Sequence, residues 1–246
     1  QAKNAWTEMG EEERAEVFAF NKNYAEFLSK NKTEREFASA AVEELEAAGF
    51  KNINQFESLK KGDKVYVENR SRALMAAVIG EKDLKEGLKI VGSHIDSPRL
   101  DLKPNPLYED GEMAMFKTHY YGGVKKYQWV TMPLAIHGVV VKDDGTQIEI
   151  SIGEKEEEPV FFISDVLPHL GKKQMKKSMN DGISGEQLNV VVGSIPVDDQ
   201  DAKEKIKTAV LNHLKAEYDF KEEDFISADL QIVPAYKTRD AGFDRG

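Results

Sequence analysis

Between residues 92 and 98 the chain reads Gly92-Ser93-His94-Ile95-Asp96-Ser97-Pro98. This motif directly follows an apolar run, Leu88-Lys89-Ile90-Val91, which predicts a buried strand that emerges at the edge of a sheet. On a continuing strand the side chains of His94 and Asp96 would share one face, because side chains alternate with period two. The pattern therefore predicts an imidazole that points out of the sheet with a carboxylate beside it.

The His-x-Asp spacing has two interpretations. Imidazole is the commonest metal ligand among side chains, and a metal-binding His usually has its other ring nitrogen held by a carboxylate or a carbonyl. His94 and Asp96 would then supply one ligand and its orienting partner. By the spacing alone, a structural histidine without a metal is the commoner outcome, so the surrounding sequence has to decide.

Two longer stretches carry more information than the motif itself. They are His94-Ile95-Asp96-Ser97-Pro98-Arg99-Leu100-Asp101 and Lys117-Thr118-His119-Tyr120-Tyr121-Gly122-Gly123-Val124-Lys125-Lys126-Tyr127-Gln128-Trp129. Together they closely resemble the aspartyl aminopeptidase family, a group of dinuclear-zinc exopeptidases, and a looser resemblance extends from Asn4 to Arg245. A related family of tetrahedral aminopeptidases also uses His-x-Asp, but Ser97-Pro98 and the second stretch favour the first family.

The resemblance implies roles for three residues. His94 would bind one of two zinc ions, and Asp96 would lie beside it as a catalytic residue. The two ions would generate a hydroxide and polarise the scissile carbonyl. His169 resembles a histidine that the family places in the neighbouring subunit's active site, where it would hydrogen-bond the substrate or the tetrahedral intermediate. A plain structural role is the alternative for His169, and we interpret His119, His137 and His213 as structural.

The family's other metal ligands have no counterpart here. The resemblance places a bridging Asp, a Glu-Glu pair, a further carboxylate and a distal His beyond residue 246. Asp240 and Asp244 lie in the segment that precedes the bridging Asp, so we do not interpret them as ligands. A single catalytic zinc normally takes three protein ligands, so one His and its neighbouring Asp are too few for two ions. We therefore expect the first half of an enzyme, inactive by itself.

The composition excludes several classes of protein. The chain has 246 residues, 40% of them hydrophobic, and a net charge of -10. This charge argues against nucleic-acid binding, which needs a basic surface. No run approaches the roughly 20 apolar residues of a membrane span, and a signal-peptide pattern is absent. There is no Cys, which excludes disulfides and thiolate ligands. We expect a cytoplasmic protein.

The element pattern predicts an α/β fold. Helices are predicted over residues 11–30 and from Thr33, where Thr33 and Glu36 form a capping box, to a stop at Gly49. A third helix is predicted over 201–218. Besides 88–91, strands are predicted over residues 64–68, 73–79, 113–121, 131–141, 147–152, 160–163, 188–192 and 229–235, with a hairpin turn at 143–145.

The resemblance also implies a domain layout and a function. Residues 1–104 would be the first part of a zinc-exopeptidase-type catalytic domain, 105–235 an inserted β-rich dimerisation domain, and 236–246 the return to the catalytic domain. The substrate would be a peptide, with an acidic N-terminal residue implied by the family name, although some members prefer neutral residues. Homodimers would assemble into a larger particle, commonly a dodecamer. The alternative is a non-catalytic oligomerisation module, which would assemble without metal.

Overall fold

The computed structural model describes residues 3–245, which fall into two compact units. The first unit holds the residues up to Asp96 together with those from Lys237 onward, and the second unit is Ser97–Tyr236. The mixed α/β class predicted from the sequence is confirmed. The assignment of 1–104 and 236–246 to a catalytic domain and of 105–235 to an inserted dimerisation domain stays a prediction. None of the helices among residues 3–245 is long and apolar enough to cross a membrane.

The first unit contains two helices and a small sheet. Its elements are α1 (Glu11–Lys30), α2 (Glu34–Ala47), β1 (Lys51–Asn52), β2 (Lys64–Asn69) and β3 (Ala73–Val78). The sheet order is β1-β2-β3, with β1 parallel and β3 antiparallel to β2. The predicted capping box is confirmed, because the Thr33 hydroxyl accepts from the Glu36 N–H at 3.3 Å and the Glu36 carboxylate accepts from the Thr33 N–H at 3.0 Å.

The prediction of a buried strand over Leu88–Val91 is wrong. These residues have no regular secondary structure, and Leu88, Ile90 and Val91 are 65%, 80% and 101% exposed. A strand exists only where a neighbouring strand satisfies its N–H and C=O groups, and no strand among residues 3–245 pairs with this segment. The motif at residues 92–98 therefore lies on irregular chain.

The second unit is built on a six-stranded antiparallel sheet with the order β7-β6-β9-β4-β5-β8. Its elements are β4 (Arg99–Asp110), β5 (Met113–Tyr121), β6 (Leu134–Val141), β7 (Gln147–Ile152), β8 (Val190–Gly193), α3 (Lys205–Tyr218) and β9 (Ala228–Pro234). Leu100 and Ile136 both pair with Ile232 across the central strands, so one face of the sheet forms an apolar core. The predicted turn at 143–145 joins β6 to β7.

The strand β4 was missed because it contains two prolines. Its pairing with β5 shifts register between Leu102 and Leu107, and Asn105 has φ +52°. Proline donates no backbone hydrogen bond, so Pro104 and Pro106 are tolerated in this strand at a bulge. Residue 105, where the inserted domain is predicted to begin, therefore lies at an irregularity within β4, and the two units divide between Asp96 and Ser97.

The N-terminus of α3 is capped by a distant side chain. Glu109, on β4, accepts the N–H groups of Ile206 and Lys207 at 2.8 and 2.9 Å. The first N–H groups of a helix lack partners within the helix, and negative charge is favourable there. This contact fixes the start of α3 against the sheet, and Lys205 is the first helical residue.

A second internal carboxylate organises the loop after β7. Glu158 accepts the N–H groups of Gly153, Glu154 and Lys155 at 2.9, 3.1 and 3.2 Å, and the Lys155 ammonium lies 3.0 Å from the same side chain. Burial raises the pKa of Glu158, but these donors outweigh burial and lower its pKa to about 2.

We expect Glu158→Gln to lower the free energy of unfolding by about 1 to 2 kcal/mol near pH 6; partial exposure reduces the effect of the pKa shift. Because the folded pKa lies below the ordinary 4.5, this stability is present above that pH and is lost as pH falls towards 2. Urea denaturation between about pH 3 and 6 measures the difference in the free energy of unfolding between the wild type and Glu158→Gln. This difference should become smaller as the pH falls. Glu156→Gln, in the same loop, is the control, and an equal loss in both variants would contradict the assignment.

Candidate functional site

His94 and Asp96 lie together in the first unit. The His94 Nδ1 atom is 2.9 Å from the backbone oxygen of Asp96 and 3.1 Å from its carboxylate Oδ1. A backbone carbonyl oxygen can only accept, so Nδ1 carries a proton and donates. The predicted proximity of the two side chains is confirmed, although on irregular chain. The role of His94 as a zinc ligand and that of Asp96 as a catalytic residue stay predictions.

This hydrogen bond decides which nitrogen of His94 is available. With the proton on Nδ1, the neutral imidazole presents the lone pair of Nε2 to a ligand. The His94 side chain is 83% exposed, whereas that of Asp96 is 35% exposed. A carboxylate and a carbonyl behind the ring fix its orientation, as they do behind metal-binding histidines.

The residues that follow the motif are anchored at the start of the second unit. Arg99 is 5% exposed, its Nε donates to Asp101 Oδ1 at 2.8 Å, and its guanidinium carbon lies 3.9 Å from the centre of the Tyr121 ring. Arg99 and Tyr121 are directly paired across β4 and β5. Sequence reasoning gave neither residue a role, because only the strand register brings them together.

A glycine turn packs on the last residue of the motif. Gly122 has φ +79°, and a Cβ atom there would lie 3.6 Å from the Cα atom of Pro98. Positive φ is open to glycine without steric penalty. The Gly122-Gly123 turn, which was part of the quoted resemblance, therefore lies against Pro98 within the second unit.

His169 is an exposed residue of the second unit. It lies in a turn in which the N–H groups of Leu170 and Gly171 donate to the Leu167 oxygen, both at 2.9 Å. Leu167 and Leu170 are 66% and 76% exposed. Among residues 3–245, nothing hydrogen-bonds the His169 ring. His137 differs: it is buried in β6 with Nε2 2.9 Å from Glu154 Oε1, as expected of a structural histidine.

The described residues do not form a complete metal centre. No group of three His, Cys, Asp or Glu side chains among them is arranged to hold a metal ion. Asp240 accepts from Asn21 Nδ2 at 3.2 Å and pairs with Arg245 Nε at 3.0 Å, and its exclusion as a ligand stays a prediction. His94 is thus the predicted ligand without the two further protein ligands that a catalytic zinc normally has.

Comparison with known proteins shows which family the chain resembles. The family model described as "Aminopeptidase I zinc metalloprotease (M18)" matches residues 27–246. A relative from Clostridium acetobutylicum, named "Probable M18 family aminopeptidase 1", is 51% identical over 99% of this chain and 53% of its own length. The chain therefore spans about half the length of the curated relatives it matches.

Solved structures agree with the sequence comparison. The M18 aminopeptidase crystal structure from Thermotoga maritima matches with a TM-score of 0.92 and 47% identity, over 100% of this chain and 53% of that one. The mApe1 dodecamer of S. cerevisiae, at 21% identity, matches in fold with a TM-score of 0.64, over 91% of this chain and 50% of that one. The resemblance inferred from the sequence is confirmed, and the chain belongs to the M18 aminopeptidase family of zinc metalloproteases.

Proposed function

We propose that a whole protein of the relatives' length that contains this chain is a zinc-dependent aminopeptidase, which removes N-terminal residues from peptides and prefers acidic ones. The observation that carries the proposal is the His94 ring in an M18 chain. Its Nδ1 is held by Asp96, so that Nε2 is left for a ligand. A cytoplasmic location is part of the proposal, and cell fractionation tests it.

In this proposal each residue of the pair has one task. His94 binds one of two zinc ions through Nε2. Asp96 is the catalytic partner, which holds the ring in that tautomer. The other ligands come from the part of the relatives' length that this chain does not span, since residues 3–245 provide no group of three candidate ligands. Residues 1–246 alone would therefore turn over no peptide.

Aminoacyl arylamides test the proposed activity. The whole protein should release the arylamine, a metal chelator should stop the reaction, and added zinc should restore it. Elemental analysis of the active protein should find two zinc ions in each subunit. Turnover by residues 1–246 alone, or activity that persists after the metal has been removed, would contradict the proposal.

We further propose that the second unit makes dimer contacts and that His169 acts in the neighbouring subunit. His169 is exposed within a segment that carries several exposed apolar side chains, and exposed apolar surface commonly marks interaction sites. These side chains are Val160, Phe162, Val166, Leu167, Leu170, Met175 and Met179. The dodecamer described for the yeast relative supports assembly of such dimers into a larger particle.

We expect His169→Ala to lower the kcat of the whole protein about a hundredfold, the usual loss when one donor to the tetrahedral intermediate is removed. Co-expression with His94→Ala should restore activity, because random pairing gives about a quarter of sites an intact His94 and an intact partner His169. Co-expression of His94→Ala with Asp96→Asn is the control and should restore nothing. Equal results from the two mixtures would place His169 in its own subunit's site, and a His169→Ala protein with wild-type kcat would place it outside any site.

The exposed apolar side chains of this segment also favour a second candidate function, a non-catalytic oligomerisation module. A module of this kind would assemble without bound metal and without peptidase activity. Light scattering after size exclusion, combined with elemental analysis, distinguishes the two. Metal-free assemblies that remain inactive after zinc is added would favour the module.

A further inference from the structure

The second unit carries a short run of lysines that have no carboxylate partner. We call residues 172–177 the basic segment, and its four exposed lysines are Lys172, Lys173, Lys176 and Lys177. Among residues 3–245, none of them forms an ion pair, although the chain as a whole carries a net charge of -10. Ammonium groups this close in sequence repel one another, and a partner rich in carboxylates would relieve that repulsion.

The basic segment is held at a defined place on the second unit. Gln174, which lies between the two lysine pairs, donates from Nε2 to Asp165 Oδ1 at 2.9 Å. Asp165 follows the buried Ile163, whose oxygen accepts from the Thr131 N–H at 2.8 Å. The segment therefore folds back against the start of its own loop, close to where the chain leaves residues 160–163.

An acidic segment of the same unit also lacks ion pairs. It consists of residues 198–201, in which Asp198, Asp199 and Asp201 are exposed. Among residues 3–245, these carboxylates pair with no Lys or Arg, and Asp199 Oδ1 accepts only from the Asp201 N–H at 2.9 Å. The Val197 N–H donates to the Lys205 oxygen at 3.2 Å, so that the acidic segment is anchored at the start of α3.

The two segments leave opposite ends of one edge of the sheet. β8 is the last strand in the sheet order, and its Val191 N–H donates to the Phe162 oxygen at 2.9 Å in an antiparallel bridge. Because the bridge is antiparallel, the chain runs from Phe162 to the basic segment in one direction and from Val191 to the acidic segment in the other. Phe162 and Ile195 are exposed apolar residues along this edge.

We propose that a second copy of this chain binds along this edge, with the basic segment of each copy facing the acidic segment of the other. A dimer with two-fold symmetry uses the same self-complementary surface on both copies, and rotation about the middle of an edge exchanges its two ends. Charge complementarity is the argument for a second copy, since one unit carries both partners of the pairing. The inference rests on the proposed dimer role of the second unit and names the surface that makes the contact.

Two charge-reversal variants of the whole protein test this interface. The first replaces the four lysines of the basic segment by Glu, and the second replaces the three aspartates of the acidic segment by Lys. Each variant alone should dissociate with a Kd at least about tenfold above that of the wild type, because like charges then face each other twice in every dimer. An equal mixture of the two should assemble with nearly the wild-type Kd, because only opposite charges meet in the mixed dimer.

Light scattering after size exclusion, over a dilution series at low salt, measures these Kd values. The matched control reverses four exposed lysines of the first unit that form no ion pair among residues 3–245, and its substitutions are K22E, K51E, K60E and K85E. This control changes the net charge equally and should assemble like the wild type. If either reversal variant does not fold, salt provides a second measurement, because added salt should raise the Kd of the wild type.

The outcomes separate this inference from the proposed function. Wild-type assembly by either reversal variant, or a wild-type Kd that does not depend on salt, would overturn the pairing of the two segments. A mixture that stays dissociated would overturn it in favour of another acidic partner for the basic segment. In each of these cases, turnover of an aminoacyl arylamide by the zinc-loaded wild type would leave the aminopeptidase function intact. Absence of that turnover in an assembled wild type would contradict the aminopeptidase function alone.

Discussion

We expect the His94→Ala variant of the whole protein to lose more than about a hundredfold of its kcat/KM for an aminoacyl arylamide. Loss of a residue that only orients a metal ligand costs about tenfold to a hundredfold, and loss of the ligand itself should cost more. The physical reason is the orientation of the ring. Its Nδ1 is already engaged by Asp96 at 2.9 and 3.1 Å, so that Nε2 is the atom available to zinc.

The Asp96→Asn variant separates the contribution of the Asp96 carboxylate from that of the His94 ring. An Asn side chain still provides an oxygen, and the backbone carbonyl at 2.9 Å from Nδ1 is unchanged. The charge behind the imidazole is lost, however, so we expect an activity loss of about tenfold to a hundredfold, smaller than that of His94→Ala. Zinc content should fall in the same order, with His94→Ala below Asp96→Asn and Asp96→Asn below the wild type.

His213→Ala is the control for both variants. His213 is exposed on α3, where its ring contacts only the edge of Tyr218 at a centre distance of 6.5 Å among the described rings. This variant should match the wild type in rate and zinc content. A His94→Ala protein that kept wild-type zinc content and activity would remove the central residue of the proposed site.

The second large effect is expected from Gly138→Ala, which should lower the free energy of unfolding by about 3 to 6 kcal/mol. Gly138 lies in β6 with φ +141°, and a Cβ atom there would be 2.0 Å from the Asp229 oxygen on β9. The methyl group would therefore force apart two central strands of the sheet. The unfavourable φ of a non-glycine residue adds to this overlap.

Gly145→Ala is the matched control, because this residue also has positive φ, +85°, but no atom lies within 4 Å of the added Cβ. Only the backbone strain remains there, about 1 to 2 kcal/mol. Urea denaturation followed by circular dichroism measures both variants. A Gly138→Ala variant that fails to fold, when Gly145→Ala folds normally, is the extreme form of the expected result. Equal stability of the two variants would contradict it.

The elements that local chemistry specifies were predicted well. The start of α2 at the Thr33 capping box is confirmed, because both of its hydrogen bonds join residues three positions apart. Helix α1 and the strands β5 and β7 have the predicted bounds. The hairpin between β6 and β7 is also confirmed, with the Lys142 N–H donating to the Thr146 oxygen at 2.8 Å. In each case the residues that determine the structure are close in sequence.

The strand predictions failed where pairing decides the outcome. The run Leu88–Val91 has a strand-like composition, but no described strand pairs with it. The opposite error occurred at β4, where Pro104 and Pro106 conceal a strand that is paired on both sides. An isolated segment has the same composition with or without a partner, so its composition cannot decide whether a strand forms.

By itself, the sequence determined the family, the helices α1 and α2 and the pairing of His94 with Asp96, because each depends on residues close together in the chain. Only the tertiary structure decided the cap that Glu109 places on α3 and the stacking of Arg99 on Tyr121. These contacts depend on strand register and on the packing of segments far apart in sequence. A shift of one residue in register would move each of these strand side chains to the opposite face of the sheet.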